Sequence, residues 1–382
     1  MLNYFKTFSI WRTAPTQIDI ENAEKKIFSN LKTEYEQKFI DIGNGQVINT
    51  IKIGDKGEPI VLVHGFGAGI GLWCCNLDFL SKYYTVYAID LIGFGRSSRP
   101  DPEQIKTLDE AENTWTESIN EWSKKVGLDK FHLVGHSLGG YVSACYALKY
   151  PNKVNTLLLC DPWGLPARPI DFEENLTMPK RLISKYLSID ASLSIVRKMG
   201  PKLVSKFRRD LLMKFQHVFP IEPTDNTENI ISDYIYHSNS LEPASGEHLF
   251  RMVSLPFGYA SSPLFERMKQ IDSNVNISFI YGEHSWIDPT PGFLLQKEMK
   301  NIKNIHMLSR SGHHVYIDNL DEFHNSILNS IPISNDLKDL FNNNNNNNNI
   351  LFSNTVNNTI SNLNLNTTTK SNETIITQSA ST

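Results

Sequence analysis

Six short, almost unbroken apolar runs punctuate the chain: Ile60–Val63, Thr85–Ile89, Phe131–Val134, Val154–Leu159, Ile277–Tyr281 and Ile305–Leu308. A strand with one wet face alternates apolar with polar residues. A run without alternation predicts a strand covered on both faces, the habit of parallel sheets. Helical patterning at Glu110–Lys125, Leu138–Lys149, Leu294–Lys300 and Leu320–Asn329 separates or follows these runs. Strands alternating with helices require right-handed crossovers, so the fold class is α/β, a doubly wound, mostly parallel sheet. Ahead of it, residues 38–53 read as a hairpin with Asn44-Gly45 in the turn. The alternation fails over residues 163–268, where helical patterns and Pro-rich turns predict a helical cap inserted after the sixth strand.

The two ends have a different character. Residues 334–382 hold 16 Asn, eight of them consecutive from Asn342 to Asn349, too little apolar surface to offset ordering entropy. A disordered, solvated tail is expected there. Residues 1–34 combine an aromatic stretch (Tyr4, Phe5, Phe8, Trp11) with an amphipathic helix over 18–32, in which Ile20, Ala23, Ile27 and Leu31 recur at helical spacing. Aromatics mixed with Lys6 and Arg12 suit a membrane interface, whereas a mitochondrial targeting reading rests on those two cations alone. The expected division is 1–34, a core of 35–162 and 269–333, a cap of 163–268 and a tail of 334–382.

Composition narrows the partners. The 37 Lys and Arg against 41 Asp and Glu leave a net charge of −4, and nothing in that balance argues for nucleic acid. Four Cys in 382 residues make neither a disulfide framework nor paired metal-ligand spacing, so free thiols in a reducing, cytoplasmic setting are expected, with no metal. No apolar run approaches the roughly 18–20 residues that span a bilayer.

The strongest chemical signal is Leu133-Val134-Gly135-His136-Ser137-Leu138-Gly139-Gly140. A buried strand ends, G-x-S-x-G follows, and an Ala/Leu helix begins. This spacing puts a Ser on a sharp strand-to-helix turn, where Gly135 and Gly139 remove side chains that would clash. Upstream, Val63-His64-Gly65-Phe66-Gly67-Ala68-Gly69 follows a strand but lacks G-x-G-x-x-G, since positions 70 and 72 are Ile and Leu. It reads as a loop whose Phe66 N–H binds an oxyanion together with the Leu138 N–H, His64 orienting the loop. A general base is expected late in the chain, and His313 of Ser311-Gly312-His313-His314 follows the last strand. For the acid, Asp288 is the nearest Asp beyond the strand ending at Tyr281. Glu283 and Asp161, the latter at the end of the Leu157–Cys160 strand, are the alternatives. The turn after Asp90, which carries Arg96, reads as structural.

These residues together resemble the α/β-hydrolase fold. Within it they are similar to the abhydrolase-domain lipid branch that holds the lyso-N-acyl-phosphatidylethanolamine lipase and the lipid-droplet lipase coactivator. The stretches that carry the likeness are VHGFGAGIGLW (63–73), IDLIGFGRSSRP (89–100), LVGHSLGGY (133–141), LKYPNKV (148–154), DPWGLPARP (161–169), DYIYHSNSLEPASGEHLF (233–250) and HHVYIDNLDEFH (313–324). The resemblance implies a lipid-directed serine esterase or phospholipase. Members share Ser at the position of Ser285 and take their acid from that of Asp288. The coactivator has Asn at the nucleophile position, so Ser137 favours the catalytic members. The branch also has a His, four residues, Asp motif linked to lysophosphatidic acid acyltransfer, and His313 and Asp318 stand at that spacing. The expected function is therefore hydrolysis of acyl esters of phospholipids or lysophospholipids, without a cofactor. The alternatives are acyl transfer at the same site, which alone would call for acyl-CoA, and a non-catalytic lipid-binding coactivator. Residues 180–214 add ten Lys or Arg against Asp190 and Asp210, a charge of +8. With Leu203, Phe207, Leu211 and Phe215 on one helical face and Lys198, Lys202, Lys206 and Arg209 on another, this predicts contact with a membrane or lipid-droplet surface.

Overall fold

The computed structural model of the chain describes residues 15–172, 193–194, 196–197, 200–220 and 229–334, without the side chains of 202, 203 and 207. The aromatic stretch from Tyr4 to Trp11, the Asn-rich tail from residue 335, and much of the basic segment, Lys198 included, lie outside the described residues.

A hairpin opens the sheet. Strands β1 (Tyr35–Gly43) and β2 (Gln46–Ile53) pair antiparallel around Asn44-Gly45, both at positive φ. There follow β3 (Pro59–Val63), β4 (Thr85–Ile89), β5 (Phe131–His136), β6 (Val154–Cys160), β9 (Asn276–Gly282) and β10 (Ile302–Leu308). These build one eight-stranded sheet in the order β1-β2-β4-β3-β5-β6-β9-β10, parallel from β4 onward. The unalternating runs fall where they should. Val61 and Val63 point into the same core as Leu133, Leu157 and Leu159, while Ile60 and Leu62 are just as buried but point the other way. Both faces of the sheet are therefore covered.

The covering helices include α1 (Gln17–Phe28), α2 (Cys74–Leu80), α3 (Leu108–Lys125) and α4 (Leu138–Lys149). Helices α3 and α4 pack together on the core that contains Trp115, Ile119 and Trp122. A Thr107/Glu110 capping box starts α3, satisfying two of its orphan N–H groups. Helix α1 buries Ile20, Ala23 and Ile27 as expected, but ends at Phe28 rather than 32.

Between β6 and β9 the chain leaves the sheet. The described residues there form α5 (Pro201–Phe207), α6 (Arg209–Lys214), α7 (Ile230–Ser238), α8 (Ser245–Val253) and α9 (Leu264–Met268). Two departures from expectation appear. A two-stranded ribbon, β7 (Ser254–Leu255) with β8 (Tyr259–Ala260), sits where only helices and turns were expected. The basic helix is also broken at Arg208, whose φ of −113° and ψ of 31° divide α5 from α6. Of the apolar stripe, Leu211 and Phe215 are buried, and Lys206 and Arg209 are exposed. The chain then completes the sheet through α10 (Thr290–Glu298), α11 (Val315–Asp318) and α12 (Leu320–Ser330). No helix among the described residues is long and apolar enough to cross a membrane.

Candidate active site

Ser137 stands between β5 and α4 with φ 53° and ψ −116°. A β-carbon on Gly135 would lie 2.3 Å from the Gly139 carbonyl oxygen, and one on Gly139 would lie 2.4 Å from that of Val63. Both glycines are thus required for the turn to close against β3. The strain is held by three backbone hydrogen bonds: Ser137 N–H to Cys160 O (3.0 Å), and Trp163 and Tyr141 N–H to Ser137 O (3.2 Å each).

His313 reaches this Ser from the loop after β10. Its Nε2 is 3.0 Å from Ser137 Oγ and its Nδ1 is 2.6 Å from Asp161 Oδ2. Asp161 is the residue after β6, fully buried, with φ 46°. Its N–H donates to Ile280 O on β9 (2.7 Å) and its Oδ1 accepts from Gly282 N–H (3.3 Å). The Ser285 hydroxyl donates to Asp161 Oδ2. A carboxylate on Nδ1–H fixes the tautomer in which Nε2 is free to accept the Ser137 proton. Serine, histidine and aspartate hang from the ends of β5, β10 and β6.

The carboxylate beside His313 is therefore Asp161, and the expectation for Asp288 is corrected. Asp288 lies six residues beyond β9 and is exposed, and its Oδ1 caps Thr290 N–H (2.9 Å) at the start of α10. Buried Ile287 anchors that turn. Glu283, the other alternative, is exposed and accepts from Arg310 N–H (3.2 Å).

Burial sets the electrostatics. It raises the Asp161 carboxyl above the usual range, opposed first by the Ser285 hydroxyl and then by His136 and the Gly282 N–H. Burial also lowers the His313 imidazole, as do the charges of Lys214 and Arg208, so the ring is neutral at neutral pH, with Nε2 unprotonated. His136, inside the G-x-S-x-G stretch, is pushed down to about 3 by burial; its Nε2–H donates to the His313 carbonyl (2.8 Å) and braces the loop.

The loop after β3 lies against the nucleophile: a β-carbon on Gly65 would come within 3.1 Å of Ser137 Cβ. Neither Phe66 N–H nor Leu138 N–H, the two expected oxyanion donors, is taken by another described residue. Phe66 packs on Phe250 with centroids 4.3 Å apart. His64 donates from Nδ1 to Gly65 O (2.8 Å) and accepts Leu91 N–H at Nε2 (3.0 Å), a structural role as expected.

Asp318 does not touch His313. It accepts Gly312 N–H (2.8 Å) and pairs with Lys214 Nζ of α6 (2.6 Å), tying the basic segment to the His313 loop. Trp286 went unnoticed in the sequence: two-thirds exposed, its ring lies 5.0 Å from that of His313. Asp161, one of the two alternatives, ends the strand next to β5. No group of three or more His, Cys, Asp or Glu among the described residues is arranged to hold a metal.

A strand-to-helix serine elbow with a histidine from the last strand's loop defines the α/β hydrolases, and the alpha/beta hydrolase fold model matches residues 58–248. The chain belongs to that family. It is 37% identical over 319 residues to the human 1-acylglycerol-3-phosphate O-acyltransferase ABHD5, covering 81% of this chain and 88% of that one. It is 36% identical over 313 residues to the (Lyso)-N-acylphosphatidylethanolamine lipase of Bos taurus, covering 78% and 87% respectively. Among solved structures, carboxylesterase CesB (YbfK) from Bacillus subtilis superposes with a TM-score of 0.59 at 17% identity, over 82% of this chain and 97% of that one. The abhydrolase resemblance read from the motifs is thereby borne out.

Proposed function

We propose that the chain is a serine hydrolase that cleaves acyl esters of phospholipids or lysophospholipids. The observation that carries this is the continuous relay Ser137–His313–Asp161, with hydrogen-bond geometry at both joints. In this mechanism His313 Nε2 accepts the Ser137 proton as Oγ attacks the ester carbonyl, and Asp161 stabilises the imidazolium that forms. The N–H groups of Phe66 and Leu138 receive the oxyanion, each worth about 3–4 kcal/mol of barrier. His313 then protonates the departing alcohol. Water, deprotonated by the same Nε2, attacks the acyl-Ser137 ester and releases the fatty acid. The lipid class of the substrate is supported by the lipase and acyltransferase names of relatives that match over most of the chain. The exposed cations of the basic segment suit a phospholipid surface.

The relative named an acyltransferase favours a second reading, in which a lysophospholipid hydroxyl, instead of water, takes the acyl group from Ser137. That route uses the same relay. It needs no separate role for Asp318, whose carboxylate is engaged by Lys214 and Gly312.

Labelling with a fluorophosphonate probe tests the proposal: the wild type reacts and Ser137→Ala does not. An unlabelled, folded wild type would sink the mechanism and leave a lipid-binding coactivator. Incubating lysophospholipid with and without an acyl donor, and weighing free fatty acid against diacyl product, separates hydrolysis from transfer.

A further inference from the structure

Ser285 is used by nothing in that mechanism, yet it is placed with unusual constraint. Asp161 Oδ2 accepts two protons, one from His313 Nδ1–H at 2.6 Å and one from the Ser285 hydroxyl. Ser285 Oγ in turn accepts Ile287 N–H (3.1 Å), which leaves its own proton for the carboxylate. The turn that carries it is pressed onto the His313 loop. A β-carbon on Gly282 would lie 2.2 Å from Gly312 O, and His284 N–H donates to Ser311 O (2.8 Å). Position 285 is therefore one hydrogen bond from the oxygen that holds the imidazole, on the opposite side from β6.

We propose that Ser285 is a positioning residue, whose hydroxyl fixes Asp161 Oδ2 toward His313. The assignment rests on the serine-hydrolase reading. A hydroxyl that only braced its own turn would point its proton at a backbone carbonyl; this one points it at the acid. Electrostatics agree, since the Ser285 hydroxyl is the largest influence holding the buried Asp161 carboxylate ionised.

The test measures the rate of fluorophosphonate labelling of the full chain between about pH 5 and 9, with thermal melts alongside. The variants are Ser285→Ala and Ser285→Thr. Ser285→Ala is expected to slow labelling about tenfold and to move the acidic limb of the profile up by about one pH unit. Ser285→Thr, which keeps the hydroxyl, restores both. A Ser285→Ala variant with the wild-type rate and pH profile would overturn the positioning role. So would a Ser285→Thr no better than Ala at an unchanged melting temperature. An unlabelled wild type defeats the hydrolase reading and this proposal with it, whereas labelled wild type with an indifferent Ser285→Ala defeats this proposal alone.

Discussion

Two aspartates, Asp90 and Asp161, stand just beyond the tips of parallel strands, and both are wholly buried. Asp90, after β4, accepts from Ile70 N–H (2.8 Å), Asn49 Nδ2 (2.8 Å) and Arg96 N–H (2.9 Å). Asn49 and Arg96 pass the network on to Glu24 of α1, and Arg96 also pairs with Glu21 (2.9 Å). Every branch ends on a fixed backbone or a paired charge. Asp161 differs in one branch only: through His313 it ends on the Ser137 hydroxyl, the nucleophile of the proposed mechanism. A buried aspartate is thus no sign of a site by itself; what its hydrogen-bond chain leads to decides between cement and chemistry.

The sharpest way to break this comparison is to neutralise the two acids. Asp161→Asn is expected to lower kcat/KM by about 10³–10⁴ with little change in melting temperature, because the imidazole loses its tautomer and its counter-charge. Asp288→Asn, measured beside it, stays within a few-fold of wild type; a larger loss there would return the acid to position 288. Asp90→Ala is expected to do the reverse. It strands three buried donors and costs about 3–5 kcal/mol in denaturant titration, while activity per folded molecule holds.

Acid titration separates the regions by sign. His136 and His324 are held neutral by burial with pKa values of about 3, and His306 of about 4. Their folded values lie below the unfolded value of about 6.5, so their contribution is present above that pH and lost as pH falls toward the folded values. Three such groups steepen the loss to about 4 kcal/mol per pH unit between roughly pH 6 and 4. Glu24 works oppositely: burial and then Asp90 raise it to about 8, so its contribution fades as pH climbs from the ordinary carboxyl value to 8. At about 1.4 kcal/mol per unit each, Glu24 and the likewise raised Asp161 offset only part of that loss. A denaturation midpoint flat between pH 6 and 4 would contradict the neutral histidines. Asp318→Asn is expected to cost about fivefold in kcat/KM, equally for hydrolysis and acyl transfer, since it weakens the Lys214 and Gly312 contacts without touching the relay. A loss confined to transfer would give the His313–Asp318 spacing a chemical role after all.

The sheet was legible because burial on both faces writes itself into composition. Strands β3 to β6, β9 and β10 all cover apolar runs that need no tertiary information to recognise. Helices α2 and α11 escaped notice because they are only 7 and 4 residues long, too short for a period to declare itself. The serine and the histidine could be read from motif and order, since each depends on its own strand end. The acid could not be fixed that way. It depends on which of two neighbouring strands, β6 or β9, carries the carboxylate, and the choice is made by side-chain direction in space. Lys214 and Asp318 meet only because the chain between β6 and β9 returns over the β10 loop, a contact across 104 residues.

Asp161 is also the last residue before the chain departs on its long excursion, and it is riveted on both sides of Pro162. Its own N–H is tied to β9, the Trp163 N–H to the elbow, and the Trp163 indole to Gly258 O (2.6 Å). Mechanically, this is a bulkhead. Strain arising beyond Trp163 is absorbed at those rivets before it reaches the carboxylate. Mutation can therefore redraw the outer segment, short of the Lys214 tie to Asp318, without detuning the carboxylate behind it.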